Sequence, residues 1–237
     1  MRKPSPCSAD SSGSISPASR TAPLTVTLLV ATTNPGKTRE IRHLLRDTGV
    51  DLLTLRDCPA VPEPVETGAT FEANARLKAE YYDRAVAVPA AARGQVPGTL
   101  LTVAEDSGLV IDALDGEPGV HSARFLSPDA TYEERFAAIQ TRLDARPAAP
   151  RVARFVCTLA VVERGRIVFE TRGTIEGVIA REARGRAGFG YDPIFEYPPF
   201  GKTLAEVDEP DKLAVAHRGH AFRSLAQWLV TRSGVMT

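Results

Sequence analysis

No apolar run in this chain approaches the roughly 20 residues that a bilayer-spanning helix requires, so no membrane partner is expected. Cysteine is scarce. Cys7, Cys58 and Cys157 show no metal-ligand spacing, and their odd number argues against a disulfide framework, which makes a reducing cytoplasm the expected compartment. Neither sign of charge is in excess: 29 Lys and Arg offset 29 Asp and Glu, so no nucleic acid or other bulk polyanion is expected as a partner. Residues 1–23 lack apolar periodicity and are rich in Ser and Pro. Such a stretch cannot offset its ordering entropy, which predicts a disordered, dispensable tail, and it has no apolar middle of the kind a secretory signal carries. Residues 24–237 are long enough for one large domain or two small lobes.

What is present centres on Ala104–Gly108, read A-E-D-S-G, between the apolar runs Leu100–Val103 and Leu109–Ile111. The pattern predicts a strand that ends at the acids and a turn at Gly108 into the next strand. Adjacent carboxylates at a strand end are costly to bury without compensation. Two readings stand at this point: a site for a hard divalent cation, for which oxygen donors suit Mg²⁺ better than zinc, or a solvated turn with an Asx-type hydrogen bond.

Upstream, Leu24–Val30 reads as a strand from its β-branched content, and A-T-T-N-P-G-K-T follows it. The spacing of Ile41, Leu44 and Leu45 is helical. Strand, Gly-containing loop, lysine and helix N-terminus together point to a phosphate site. A Walker A loop is the nearest rival, with Ala31 in place of its first glycine and with Gly36, Lys37 and Thr38 matching. Pro35 argues against it, because proline has no N–H to offer inside a loop built from N–H groups.

Val50–Leu55 predicts a second strand, and Thr70 is a natural N-cap for a helix over Phe71–Ala79. Glu66 lies just before that helix, as a surface acid or as a metal ligand. Asn74 and Lys78 share one helix face, read as an exposed polar one. Ala85–Gly98 is read as a helix end and loop, and the Gly- and Pro-bearing stretch after Ile111 as a tight turn that leads Arg124 back towards the core. Thr131–Arg146 predicts a capped amphipathic helix, and Arg151–Glu163 and Arg166–Ile179 a hairpin turning at Arg164-Gly165. G-F-G-Y-D-P-I-F then offers Phe189 and Tyr191 for stacking on a flat base, or for plugging the core. A final helix is expected from about His220 to Val230, preceded by Lys212, His217 and Arg218.

Taken in order, T-T-N-P-G-K-T-R-E, E-T-G-A-T-F-E-A-N-A-R-L-K-A, A-E-D-S-G-L-V-I-D-A-L-D-G-E-P-G-V-H-S-A-R-F, G-F-G-Y-D-P-I-F and A-H-R-G-H-A resemble the inosine-triphosphate pyrophosphatase family from Leu24 to Val230. The resemblance implies a two-lobed α/β fold, with a long twisted mixed β-sheet flanked by helices and a nucleotide cleft between the lobes. It further implies hydrolysis of ITP, dITP and XTP to the monophosphate and pyrophosphate, with Mg²⁺ as cofactor and a homodimer as the assembly. By motif it implies that Thr32, Thr33, Asn34, Pro35, Gly36 and Lys37 hold the triphosphate. Glu66 and Asp106 are the implied metal ligands, and Asp106 is also the proton acceptor for the attacking water. Ser107, Phe189, Gly190, Tyr191, Asp192, Lys212, His217 and Arg218 are implied to complete the nucleotide pocket. Two residues depart from the family pattern: Glu105 stands for the more usual Asp, and Ala216 for the usual Ser before His-Arg. Those departures motivate a second function class, a nucleotide-binding protein that no longer hydrolyses; the other implied site residues match the pattern and argue against it.

Overall fold

Strand β1 (Val26–Val30) is buried along its whole length, as a continuous β-branched and apolar run must be when both sheet faces are covered. The computed structural model describes residues 26–92, 94 and 98–232. The tail expected over residues 1–23, and Leu24 and Thr25 of the expected first strand, lie outside the described residues. After β1 come helix α1 (Pro35–Leu45), strand β2 (Asp51–Thr54) and helix α2 (Phe71–Tyr82), with Thr70 Oγ1 accepting from the Ala73 N–H as the N-cap. The helical path continues through a π-type stretch at Asp83–Ala87 into α3 (Val88–Ala92), where a helix end and loop were expected.

β3 (Thr99–Ile111) is a single strand, which corrects the expected break at Gly108. The polar residues Glu105, Asp106 and Ser107 interrupt its apolar pattern, but pairing with β4 (Val152–Glu163) is unbroken from Thr102 to Ile111 and keeps the backbone extended. Gly108 serves close approach instead of a turn. A Cβ there would sit 2.4 Å from the Gly119 carbonyl oxygen and 2.5 Å from Ser122 Oγ, in the helical turns of Gly119–Arg124. Helix α4 (Tyr132–Asp144) follows, with the expected cap at Thr131, here a capping box closed by Glu134. β4 and β5 (Arg166–Ile179) form the expected hairpin, and β6 (Phe195–Tyr197), β7 (Lys202–Thr203), α5 (Glu209–Val215) and α6 (His217–Arg232) complete the chain. The mixed seven-stranded sheet runs β2-β1-β3-β4-β5-β6-β7, with β2 and β3 parallel to β1 and the remaining pairs antiparallel.

The register places the site. β1 pairs with β3 only from Thr99 to Val103, and the chain then leaves β1 into the loop that starts α1. Past Val103, β3 keeps β4 on one side and has no named strand on the other. Glu105, Asp106 and Ser107 stand at that opening. Alternation along the strand then divides them. Leu101 and Val103 belong to the core packed by α1 and α6, so Glu105 and Ser107 share that face. Ala104 belongs to the core under α2, so Asp106 faces α2.

Candidate functional site

Two contiguous hollows flank the opening, sharing Asn34, Lys37 and Ala123. In the first, Thr32, Thr33, Asn34 and Lys37 meet Glu63, Glu66, Lys78 and Arg124. Asn34 is the N-cap of α1, its Oδ1 accepting from the N–H groups of Gly36 at 2.9 Å and Lys37 at 3.1 Å. Pro35 occupies the first helical turn, where a missing N–H costs nothing. Those two N–H groups, expected to be open to phosphate, are thus already partnered, and the exposed loop brings an ammonium, Lys37, to the hollow. Gly36 packs beneath Phe189: an added Cβ would lie 2.8 Å from that ring. Thr33 donates to Glu63.

Asp106 sits beside this hollow with Lys78 as its link. Lys78 Nζ donates to Asp106 Oδ1 at 2.8 Å and to Glu66 Oε1 at 2.7 Å, while Arg124 takes Glu66 Oε2 at 2.8 Å. The Asn74 side-chain amide donates to Asp106 Oδ2 at 3.3 Å. The Asn74–Lys78 face of α2 is therefore turned inward, correcting the exposed face expected from the sequence; Asn74 is fully buried. Burial pushes the Asp106 carboxyl above its ordinary range, with the Lys78 ammonium opposing the rise. Burial acts upward on Glu66 too, but Lys78 and Arg124 outweigh it and hold that carboxyl below the usual range. A carboxylate with a raised pKa is the better proton acceptor, and one held ionised the better cation ligand.

The second hollow is lined by Ser107, Ser122, Phe155, Phe189, Gly190, Tyr191, Asp192, Lys212, His217 and Arg218, with Tyr132 at its rim. His217 and Arg218 lie in the first turn of α6, not ahead of it, and both are buried. Arg218 is held by two acids. Its Nε and Nη2 donate to the two oxygens of Glu105 at 2.8 and 2.9 Å, and its Nη1 donates to Glu40 at 2.7 Å. Lys212 is buried between Glu40 at 2.8 Å and Asp192 at 2.6 Å. Lys212, implied to complete the nucleotide pocket, lines this hollow with its charge balanced by those two acids. Asp192 also accepts from the Phe189 N–H at 2.9 Å, which fixes the loop carrying that ring. Phe189 lies over the Lys212 ammonium and the Arg218 guanidinium at 5.0 and 5.5 Å. Tyr191 does not present a free face for stacking: its hydroxyl donates to the Ser122 carbonyl and its ring meets Tyr132 edge-on at 5.4 Å.

Of the expected site residues, Pro35 alone lies away from both hollows and their immediate partners. The sequence reading did not assign Glu40, Asn74, Lys78, Arg124 or Tyr132 to the site. Asn74 and Lys78 carried a signal, since they are one helical turn apart just after Glu66. Glu40 carried none, because its partners Lys212 and Arg218 are 172 and 178 residues away. His217 is neutral: burial, with Arg218 beside it, drives its imidazole well below the ordinary value. It stacks on Phe155 at 4.8 Å, and its buried Nδ1 has no partner among the described residues, leaving one polar atom in the wall of the hollow unsatisfied.

Residues 28–228 match the model of the Ham1 family. The chain belongs to the Ham1 family. Relatives of this Ham1 chain include a dITP/XTP pyrophosphatase of Geobacillus kaustophilus, 42% identical over 202 residues that span 85% of this chain and 93% of the relative. A second, from Yersinia pestis and described in the same words, is 40% identical over 83% of this chain and 94% of the relative. Among solved structures, a HAM1 protein from Coxiella burnetii superimposes with a TM-score of 0.76 at 36% identity, over 87% of this chain and all of that one. A nucleoside-triphosphatase / dITP/XTP pyrophosphatase from Mycobacterium abscessus gives 0.63 at 37% identity, covering 86% and 98%. The α/β fold with its mixed sheet is thus that of the Ham1 proteins.

Proposed function

We propose that this chain hydrolyses non-standard purine nucleoside triphosphates, ITP, dITP and XTP, to the monophosphate and pyrophosphate, and so clears them from the nucleotide pool of the cytoplasm before they enter DNA or RNA. The observation that carries the reading is the joining of the two hollows at Lys37. A buried carboxylate with a raised pKa, Asp106, lies beside one hollow, and an aromatic pocket with a guanidinium forms the other.

Lys37 and Arg124 bring positive charge to the phosphate side and lower the cost of attack on a polyanion. Asp106 takes the proton of a water whose oxygen attacks the α-phosphorus. The bond from that phosphorus to the bridging oxygen breaks, and pyrophosphate leaves with the electron pair. Lys78 keeps Asp106 and Glu66 converged. Phe189 offers a ring face to a purine, and Arg218, a donor only, suits a 6-oxo group and cannot accept from a 6-amino group. Nε, one Nη1 hydrogen and both Nη2 hydrogens of Arg218 have protein acceptors, Ser107 Oγ taking the last at 3.2 Å, which leaves one Nη1 hydrogen for the base.

Mg²⁺ fits the donor set. Glu66 and Asp106 present oxygen ligands to one ammonium, and this ion is commonly held by one or two carboxylates with substrate phosphates completing its shell. When bound there, Mg²⁺ supplies positive charge to the phosphate oxygens.

Pyrophosphate release from ITP, XTP and ATP, with Mg²⁺ and with EDTA, tests the reading. Release from ITP and XTP well above ATP, abolished by EDTA, is expected; a protein that binds ITP without releasing pyrophosphate overturns it. The same proposal takes the active form as a homodimer and the first 23 residues as dispensable, in keeping with a family match that starts at residue 28. Sedimentation at micromolar concentration checks the dimer. Deletion of residues 1–20 is expected to leave turnover and melting temperature unchanged.

A further inference from the structure

The two hollows are joined by a chain of charges that alternate in sign, half-buried at Lys37 and buried from Glu105 to Asp192. Lys37 pairs with Glu105, Glu105 with Arg218, Arg218 with Glu40, Glu40 with Lys212, and Lys212 with Asp192, every step between 2.6 and 2.9 Å. Three positive and three negative side chains balance, as burial demands. The link nearest the phosphate loop is Glu105. Its side chain is 2% exposed, and its Oε1 receives both the Lys37 ammonium at 2.7 Å and the Arg218 Nη2 at 2.9 Å. Its Oε2 receives Arg218 Nε at 2.8 Å and the Cys157 thiol at 3.4 Å. Both carboxylate oxygens are therefore engaged by side-chain donors of the protein. On the strand it occupies the face opposite Asp106, and it reaches the wall of the first hollow beside Lys37.

We infer that Glu105 is a positioning residue that ties the phosphate-side Lys37 to the base-reading Arg218, so that hold on the triphosphate and choice of base are set through one carboxylate whose two oxygens are held by those cations. The inference rests on the proposed function and deepens it. A bidentate carboxylate fixes the plane of the Arg218 guanidinium, and that plane determines where its remaining Nη1 hydrogen points. The same carboxylate holds the Lys37 ammonium at the mouth shared by the hollows. When a triphosphate draws on Lys37, the Glu105 charge is left to Arg218 alone, and the guanidinium is gripped harder as the base seats.

Glu105→Gln keeps the size and removes the charge; Glu105→Asp keeps the charge and withdraws it by one methylene. The measurement is kcat/KM for ITP and for ATP, together with the Mg²⁺ concentration for half-maximal rate. For Glu105→Gln both substrates are expected to lose efficiency, mainly through KM. ITP should lose about 10-fold more than ATP, the size of one charge-assisted hydrogen bond, with the Mg²⁺ curve unmoved. Glu105→Asp should fall between the wild type and the Gln variant, and it decides the matter if the Gln variant does not fold. An ITP-to-ATP ratio equal to that of the wild type reduces Glu105 to a support of the fold and overturns the inference. A shifted Mg²⁺ curve makes it a metal ligand and overturns it equally. If the wild type itself releases no pyrophosphate from ITP, the proposed function fails. Binding of ITP and ATP by calorimetry in EDTA then tests the coupling separately, with the same change in ratio expected.

Discussion

Asp106 and Glu105 are neighbours in sequence with opposite electrostatic fates. Burial raises the pKa of Asp106, whereas for Glu105 the same burial is outweighed by Arg218 and Lys37, which hold it well below the carboxylate range. The difference lies in the cations each meets, two strong ones for Glu105 against one shared ammonium for Asp106. Asp106→Asn keeps the volume and loses both basicity and charge, so turnover of ITP should fall by roughly 10²-fold or more while binding through Lys37 persists. Steady-state kinetics and calorimetry on the same variant check both halves. His217 gives a second expectation. Its imidazole is neutral throughout the physiological range, so its ring proton resonances should not titrate between about pH 6 and 8. The residue types of the site were legible in the motifs. What each side chain touches was not, because the acids of Arg218 come from α1 and β3, 178 and 113 residues away.

Elements with a local signature appear where the sequence put them. Thr70 and Thr131 cap their helices and Arg164-Gly165 turns the hairpin, each decided within a few residues. Two boundaries were illegible for a shared reason. β3 runs through three polar residues because β4 pairs with it throughout, and α6 starts at His217 without a Ser, Thr, Asp or Asn cap because buried acids stabilise its first turn from outside. Tertiary partners override local propensity in both. The position of α6 depends on Gly173 of β5, where a Cβ would lie 2.1 Å from the His217 carbonyl oxygen and 2.7 Å from the Ala221 nitrogen. Those contacts are backbone and cannot yield without moving the helix. Gly173→Ala should therefore cost about 1–3 kcal/mol in urea unfolding and raise KM for ITP, since the shifted turn carries both His217 and Arg218. A variant with wild-type KM would detach the base pocket from the seat of α6.

At the scale of the whole molecule, the buried charge chain ties stability to acidity. Burial alone would raise the Glu40 carboxyl, but Arg218 and Lys212 hold it below its ordinary 4.5. A depressed folded-state pKa means stabilisation that is present above the unfolded value and lost as pH falls through the folded one; Glu105 acts in the same sense. Asp192 works against them, its carboxyl raised chiefly by burial, so that ionising it costs stability. The melting temperature should accordingly decline below about pH 4.5. Glu40→Gln, which leaves two buried cations short of a partner, should lower stability at neutral pH by about 3–5 kcal/mol and flatten part of the acid decline. Thermal melts of both proteins from neutral pH to pH 3 check the two slopes.

The alternation of β3 has a further consequence for how such a chain can change over generations. Asp106, the proposed proton acceptor, and Glu105, the proposed anchor of Arg218, occupy opposite faces of one strand, each served by different helices. Substitutions that reach Arg218 from α6 alone are expected to alter base choice first, whereas those that reach Lys37 on α1 alter the grip on phosphate as well.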